Sequence, residues 1–117
     1  MDSLSSGSEF PDDGAFRREV GDVLAALLDE VDEIEADIDA RLSPGNLNVV
    51  FEDDDSTFVL SQQTPTHELW LSANLRAWHF RRVDGVWRER DTDEPMLELL
   101  SALFSEKTGL RVGFSAG

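Results

Sequence analysis

The 117 residues include no cysteine and carry a formal net charge of −15, and 40% of them are apolar. That length suits one domain with one core, and the apolar share suits a folded chain rather than a disordered one. The missing thiols exclude disulfides, zinc ribbons and cysteine-ligated clusters, while the charge excludes nucleic acid and anionic membrane surfaces, which demand a basic footprint.

Cations or a basic protein surface remain as natural partners. The charge is uneven: residues 1–39 hold thirteen Asp and Glu against Arg17 and Arg18, a net of −11, whereas residues 40–117 hold twelve against eight Lys and Arg, a net of −4. No apolar run approaches the roughly 18 residues of a membrane span. The Ser- and Asp-rich start, Met1 to Gly14, has neither the apolar stretch of a secretory signal nor the arginines of a presequence. A soluble, cytoplasmic protein with a flexible segment over 1–14 is expected. Within it, Gly7-Ser8-Glu9-Phe10 reads like a cloning junction, so no function is assigned to it.

Apolar residues at Phe16, Val20, Val23, Leu24, Leu27, Val31 and Ile34 fall in steps of three and four. This predicts an amphipathic helix from Phe16 to about Glu35, capped by Asp12 or Asp13. Opposite the stripe lie Asp22, Asp29, Asp32 and Glu33. Asp29, Asp32 and Glu33 share one surface, and like charges so spaced destabilise a helix by a few tenths of a kcal/mol per pair. They also crowd the negative end of the helix dipole. A sequence that accepts both penalties gains something from the cluster.

The chain then alternates. Ile38, Ala40 and Leu42 predict a first strand, closed by the Pro44-Gly45 turn; Leu47, Val49 and Phe51 a second; Phe58 and Leu60 a third after the Asp53-Asp54-Asp55-Ser56 turn. Beyond Pro65, Glu68 to Ser72 would point Leu69 and Leu71 inward and Trp70 outward. Trp78 to Arg82 and Val86 to Arg90 flank Asp84-Gly85, a strong hairpin signal. Pro95 opens a second helix bearing Met96, Leu97, Leu99, Leu100, Leu103 and Phe104, and Gly109 is its C-cap. Leu110, Val112 and Phe114 form an alternating tail that packs between the helix ends. The expected fold is α+β, a two-layer α/β sandwich with two helices on one face of an antiparallel sheet of about six strands. Residues 15–109 form the domain and 110–117 the carboxy-terminal tail.

The stretch Gln63-Thr64-Pro65-Thr66-His67-Glu68-Leu69-Trp70-Leu71-Ser72, the acidic helix before it and the aromatic run Trp78-His79-Phe80 after it come in a telling order. From about Phe16 to Gly109 the chain resembles the frataxin family in its bacterial, CyaY-type form. The resemblance implies the frataxin fold and a non-enzymatic role in iron–sulfur cluster assembly. It further implies weakly bound iron (Fe²⁺ or Fe³⁺), cysteine desulfurase and its scaffold protein as partners, and a monomer that can oligomerise with iron.

Carboxylates are hard ligands suited to iron, Mn²⁺, Ca²⁺ and Mg²⁺, and a helix ridge cannot wrap six of them round an ion. The metal candidates are Asp22, Asp29, Asp32, Glu33, Asp37 and Asp39, with Glu35 beside them. Aligning the apolar stripe and the Asp-Ile-Asp step with the family pattern puts the iron role on Asp29, Asp32, Glu33, Asp37 and Asp39. Leu28 departs from that pattern at a position where relatives often carry an acid. The partner-binding candidates are Trp70, Gln63, His79 and Arg81 on the outer sheet face, an aromatic ringed by polar and cationic groups. The resemblance implies that the Trp70 surface meets the assembly machinery.

Asp53-Asp54-Asp55 lacks the alternation and the Gly-to-Glu ending of a calcium loop and reads as a turn. His67 and His79 show no metal-ligand or His–carboxylate spacing; His67 is expected to cap the turn after Pro65 and His79 to be solvated. No nucleophile elbow or phosphate loop is present in the sequence. The alternative to the iron role is an acidic interaction module without specific metal function.

Overall fold

The computed structural model describes residues 8–115. Its elements run α1 (Asp13–Asp32), β1 (Ile38–Ser43), β2 (Asn46–Phe51), β3 (Ser56–Gln63), a 3-10 turn (Thr64–Thr66), β4 (Glu68–Ala73), β5 (Arg76–Val83), β6 (Val86–Glu89) and α2 (Met96–Thr108). All six strands pair antiparallel with their chain neighbours, giving a meander in the order β1-β2-β3-β4-β5-β6. The fold class is the expected α+β sandwich.

Helix α1 starts where an oxygen can cap it: Asp12 Oδ1 accepts from Ala15 N–H at 2.8 Å. Its stripe is buried throughout, with Phe16 and Val20 at 0% exposure and Val23, Leu24 and Leu27 at 1%. The helix ends at Asp32 with Glu33 as C-cap, short of the expected Glu35. Four acids between Asp29 and Glu33 and no basic residue in the last turn explain the early stop, since another turn would add Glu35 to the negative end of the dipole. Glu35 and Asp37 therefore lie in the connection to β1.

The alternation in the strands delivers Leu47, Val49, Phe51, Phe58, Leu60, Leu69, Leu71, Trp78, Phe80 and Trp87 to one face of the sheet, where all are buried in a single core with the helices. Each fully buried Phe or Leu contributes about 1.5–3 kcal/mol. Phe104 of α2 sits at the junction, its ring edge-on to Phe51 (5.4 Å), Phe58 (5.5 Å) and Phe114 (5.0 Å). Gly109 closes α2 at φ 73°.

The tail beyond it is bound to α2. Ser105 Oγ accepts from Val112 N–H at 2.9 Å, and Ser101 Oγ accepts from Phe114 N–H at 2.9 Å. Ser115 N–H donates to Glu30 Oε1 at 3.0 Å, so the tail bridges both helices. Leu110, expected to pack with Val112 and Phe114, is instead 42% exposed, because the left-handed Gly109 turns the chain outward there. At the other end, Phe10 packs on the core through Phe16 and Trp87 at 5.4 and 6.0 Å. That part of the segment read as flexible is seated against the fold, and residues 1–7 lie outside the described residues.

Three two-residue hairpins use left-handed residues, as does the longer β2–β3 turn at Asp55 (φ 60°). Gly45 (φ 79°) follows Pro44, and Asp84-Gly85 (φ 51° and 80°) joins β5 to β6 as expected. The third is Asn74-Leu75 (φ 53° and 62°) between β4 and β5, where Leu75 has no contact to offset its conformation and is fully exposed. A left-handed residue with a Cβ costs about 1–2 kcal/mol, and Asn-Gly is the preferred pair for such a turn. Leu75→Gly is expected to stabilise the protein by about 1 kcal/mol, raising the thermal midpoint by about 3 °C. Calorimetry showing an unchanged or lower midpoint refutes this account of the turn.

Candidate functional site

Two surfaces of opposite character emerge from this frame. On α1, Asp22, Asp29 and Asp32 are exposed, and the ridge continues through Glu33, Glu35 and Asp37 in the connection to Asp39 on β1. Asp22 stands two turns before Asp29, about 10 Å along the axis. Asp39 Oδ2 accepts from Arg41 Nε at 3.2 Å. Among the described residues, no ion pair or hydrogen bond engages the side chains of Asp22, Asp29, Asp32, Glu33 or Asp37, and no three His, Asp or Glu side chains converge on a common point suited to a metal ion. The carboxylates are thus presented singly and hydrated, a donor set that attracts hard cations without a built cage.

On the outer sheet face, the register brings the four partner candidates side by side. Trp70 pairs with His79, and Glu68 lies between Gln63 and Arg81. The Trp70 and His79 rings meet edge to face at 4.6 Å. Trp70 is half-buried rather than freely exposed, and so is His79, whose expected position was in solvent. The cause is Glu68, which carries no local sign of its partners in the sequence. Glu68 is only 5% exposed; its Oε1 accepts from Trp70 Nε1 at 2.9 Å and pairs with Arg90 Nη1 at 3.3 Å. A buried carboxylate requires such partners. The two-residue offset from Trp70 places Glu68 on the same face, but only the pairing with β5 and β6 reveals its arginine.

Neighbouring β5–β6, Glu89 is also 5% exposed. Oε2 accepts from His79 N–H at 3.0 Å, and Oε1 accepts from Asp91 N–H at 2.7 Å and Thr92 N–H at 3.0 Å. Burial alone pushes this carboxyl up, yet these three N–H groups, with the nearby His79 ring, hold it below the usual glutamate range. Glu89 thereby seats the turn that leads into α2.

The Asp53-Asp54-Asp55 turn is tied to α2. Lys107 Nζ donates to Asp54 Oδ2 at 2.7 Å and Ser56 donates through N–H and Oγ to Oδ1, which together hold Asp54 well below the ordinary aspartate range. His67 closes the 3-10 turn at φ 53°. Contrary to what its spacing indicated, it meets a carboxylate: Nε2 lies 2.8 Å from Asp13 Oδ1, and Nδ1 contacts Ser8 Oγ. The two residues are 54 positions apart, beyond the reach of any local motif.

Comparison with known proteins gives this architecture a family. Residues 9–110 match the family model described as a frataxin-like domain. Among curated relatives, the iron-sulfur cluster assembly protein CyaY of Burkholderia mallei is 31% identical over 97 residues, covering 80% of this chain and 89% of its own. That of Paracidovorax citrulli is 33% identical over 85 residues, covering 73% and 76%. Among solved structures, the Psychromonas ingrahamii frataxin superposes with a TM-score of 0.82 at 22% identity, over 89% of this chain and 98% of that one. The trimeric frataxin of Saccharomyces cerevisiae, complexed with ferrous iron, gives 0.68 at 23% over 78% and 86%. The chain belongs to the frataxin-like family, alongside the bacterial CyaY proteins.

Glu89 makes a testable contribution to acid stability. Its folded-state pKa is depressed, so its stabilisation is full above the ordinary glutamate value, 4.5, and is lost as the pH falls through the lower folded value. Glu89→Gln turns an amide N–H toward one of the three donors and is expected to cost about 2 kcal/mol at pH 7. The gap between variant and wild type should shrink below about pH 4.5. Urea unfolding across pH 3–7 checks both, and a pH-independent gap contradicts the assignment.

Proposed function

We propose that this protein is a cytoplasmic, non-catalytic iron-binding component of iron–sulfur cluster assembly that engages cysteine desulfurase and its scaffold. The observation that carries the reading is the segregation of the surface. Exposed carboxylates, unpaired among the described residues, line the end of α1 and the approach to β1, while Trp70, His79, Gln63 and Arg81 gather on the outer sheet face. The name carried by the CyaY relatives supports the pathway, and the ferrous complex of yeast frataxin supports iron as the cargo.

In this reading Asp29, Asp32, Glu33, Asp37 and Asp39, with Asp22 further along α1, attract iron with water completing its shell. Binding is weak and salt-sensitive, because exposed charges interact through water. The same carboxylates steer a basic patch on the desulfurase. Iron on the ridge cancels part of that charge and so tunes the encounter. Trp70, held by Glu68, supplies a rigid aromatic contact to the assembly.

Asp29→Lys with Glu33→Lys is expected to slow desulfurase association by about tenfold or more at low salt and to leave the fold intact, since both positions lie outside the buried stripe. Trp70→Ala is expected to weaken partner binding by about 2 kcal/mol without altering iron affinity. Interferometry with the purified desulfurase and scaffold, with and without Fe²⁺, measures each. Cluster formation on the scaffold should change with this protein in an iron-dependent way. An unaltered rate, together with iron binding no stronger than that of charge-matched unrelated proteins, replaces this reading with an acidic interaction module.

A further inference from the structure

At the end of the sandwich opposite the acidic ridge, Phe16, His67, Arg82 and Trp87 form an aromatic and cationic cup. Phe16 and His67 stack at 4.7 Å, and Trp87 is only 3% exposed. The short segment Ser8–Phe10 sits in it. The Phe10 ring is 5.4 Å from Phe16, 5.8 Å from His67, 6.0 Å from Trp87 and 5.7 Å from the Arg82 guanidinium carbon. Both Glu9 carboxylate oxygens accept from Gly85 N–H at 3.2 Å, and Ser8 Oγ contacts His67 Nδ1.

The fit is incomplete in an informative way. Arg82 Nε and Trp87 Nε1 are buried and have no hydrogen-bond partner among the described residues. Arg82 Nε lies 3.9 Å from Glu9 Oε1, within ion-pair range but outside hydrogen-bond reach. Its Nη2 lies another 3.9 Å from Glu19. Buried donors without acceptors mark an occupant that a better-placed carboxylate can displace.

We propose that this cup is a docking site for an extended acidic–aromatic segment of a partner protein, a carboxylate followed directly by an aromatic ring, and that Ser8–Phe10 fills it in cis. The ligand chemistry follows from the cup's own groups, the Arg82 Nε and Gly85 N–H that call for a carboxylate and the Phe16–Trp87 wall that calls for a ring, and not from any function of the segment seated in it. The carboxylate would take Gly85 N–H and the Arg82 guanidinium together, and the ring would take the place of Phe10 against Phe16 and Trp87. Arg82 Nε, unpartnered among the described residues, and the Gly85 N–H suit a carboxylate despite the net charge of −15. Arg82 shares the inner sheet face with Trp87, and Arg17 and Arg18 stand on the first turns of α1; Arg81 and Arg88 are on the outer face, where Arg88 is paired with Asp93. Of the nearby acids, Asp12 caps α1, Asp13 is paired with His67, Glu19 faces Arg82, and Asp84 sits in the turn beside Gly85. The ridge lies at the far end of a helix about 30 Å long, beyond the reach of unscreened repulsion at physiological salt. This site is independent of the proposed iron role.

The test uses the full chain with Glu9→Ala and Phe10→Ala, titrated with the peptide acetyl-Ser-Glu-Phe-amide and followed by NMR at the Gly85 amide and the Trp87 indole N–H. Saturable shifts, at least about tenfold tighter than in wild type, are expected, because the cis segment competes in wild type. Acetyl-Ser-Lys-Phe-amide should not bind. Glu9→Ala alone keeps the Phe10 packing and should give intermediate affinity, and it carries the test if the double variant fails to fold. Absence of saturable shifts in both variants overturns the proposal. So does equal binding of the lysine peptide, which would reduce the cup to an apolar surface. So does a wild-type dimer in which exchanged Ser8–Phe10 segments are the only ligand taken.

Discussion

Everything in this molecule depends on two apolar periodicities meeting in one plane. The α1 stripe recurs at the helical period and the sheet's inner face at the strand period, and they bury each other: Phe16 to Val31 on one side, Leu47 to Trp87 on the other. Because the core takes one face of each element, the opposite faces are free to carry chemistry. The helix exposes acids, and the sheet exposes an aromatic and cationic patch. The serine-bound tail and the Lys107–Asp54 contact then close the core at the helix ends.

The fold was legible because its signals are local. The stripe from Phe16 to Val31, the strand alternations, Asp84-Gly85 and Gly109 each state their structure within a few residues. What went unread depends on distant partners. The acids after Asp29 stop α1 earlier than its hydrophobic pattern indicates, since Ile34 keeps the apolar period while the charge around it does not. Asn74-Leu75 carries no glycine to announce its turn. Glu68 looks like any strand glutamate until Arg90 and Trp70 arrive from the pairing, and His67 finds Asp13 only in three dimensions. The candidate residues were readable as surfaces, but the acids that hold the aromatic face rigid were not.

The two faces are built to different standards of order. Asp39 apart, the ridge carboxylates are exposed and, among the described residues, unpaired, which in the proposed function suits a cation that must be released as readily as it is caught. Around Trp70 the side chains are mutually fixed: indole to Glu68, Glu68 to Arg90, His79 against the ring. A recognition surface loses less entropy on binding when its anchors are already immobile. The proposed division of labour between loose electrostatics and rigid shape thus follows which face is satisfied internally and which is left to solvent.

The strand order has a consequence for synthesis on the ribosome. Each strand pairs with the one made just before it, so the sheet can assemble hairpin by hairpin with short loop closures. Helix α1 is made first, yet the strands that cover its stripe come later. During that interval its apolar side is bare, a state that invites aggregation. Like charge opposes such association, and residues 1–39 carry a net of −11. The acidity of this stretch thus bears on the polypeptide before there is any folded surface for it to serve.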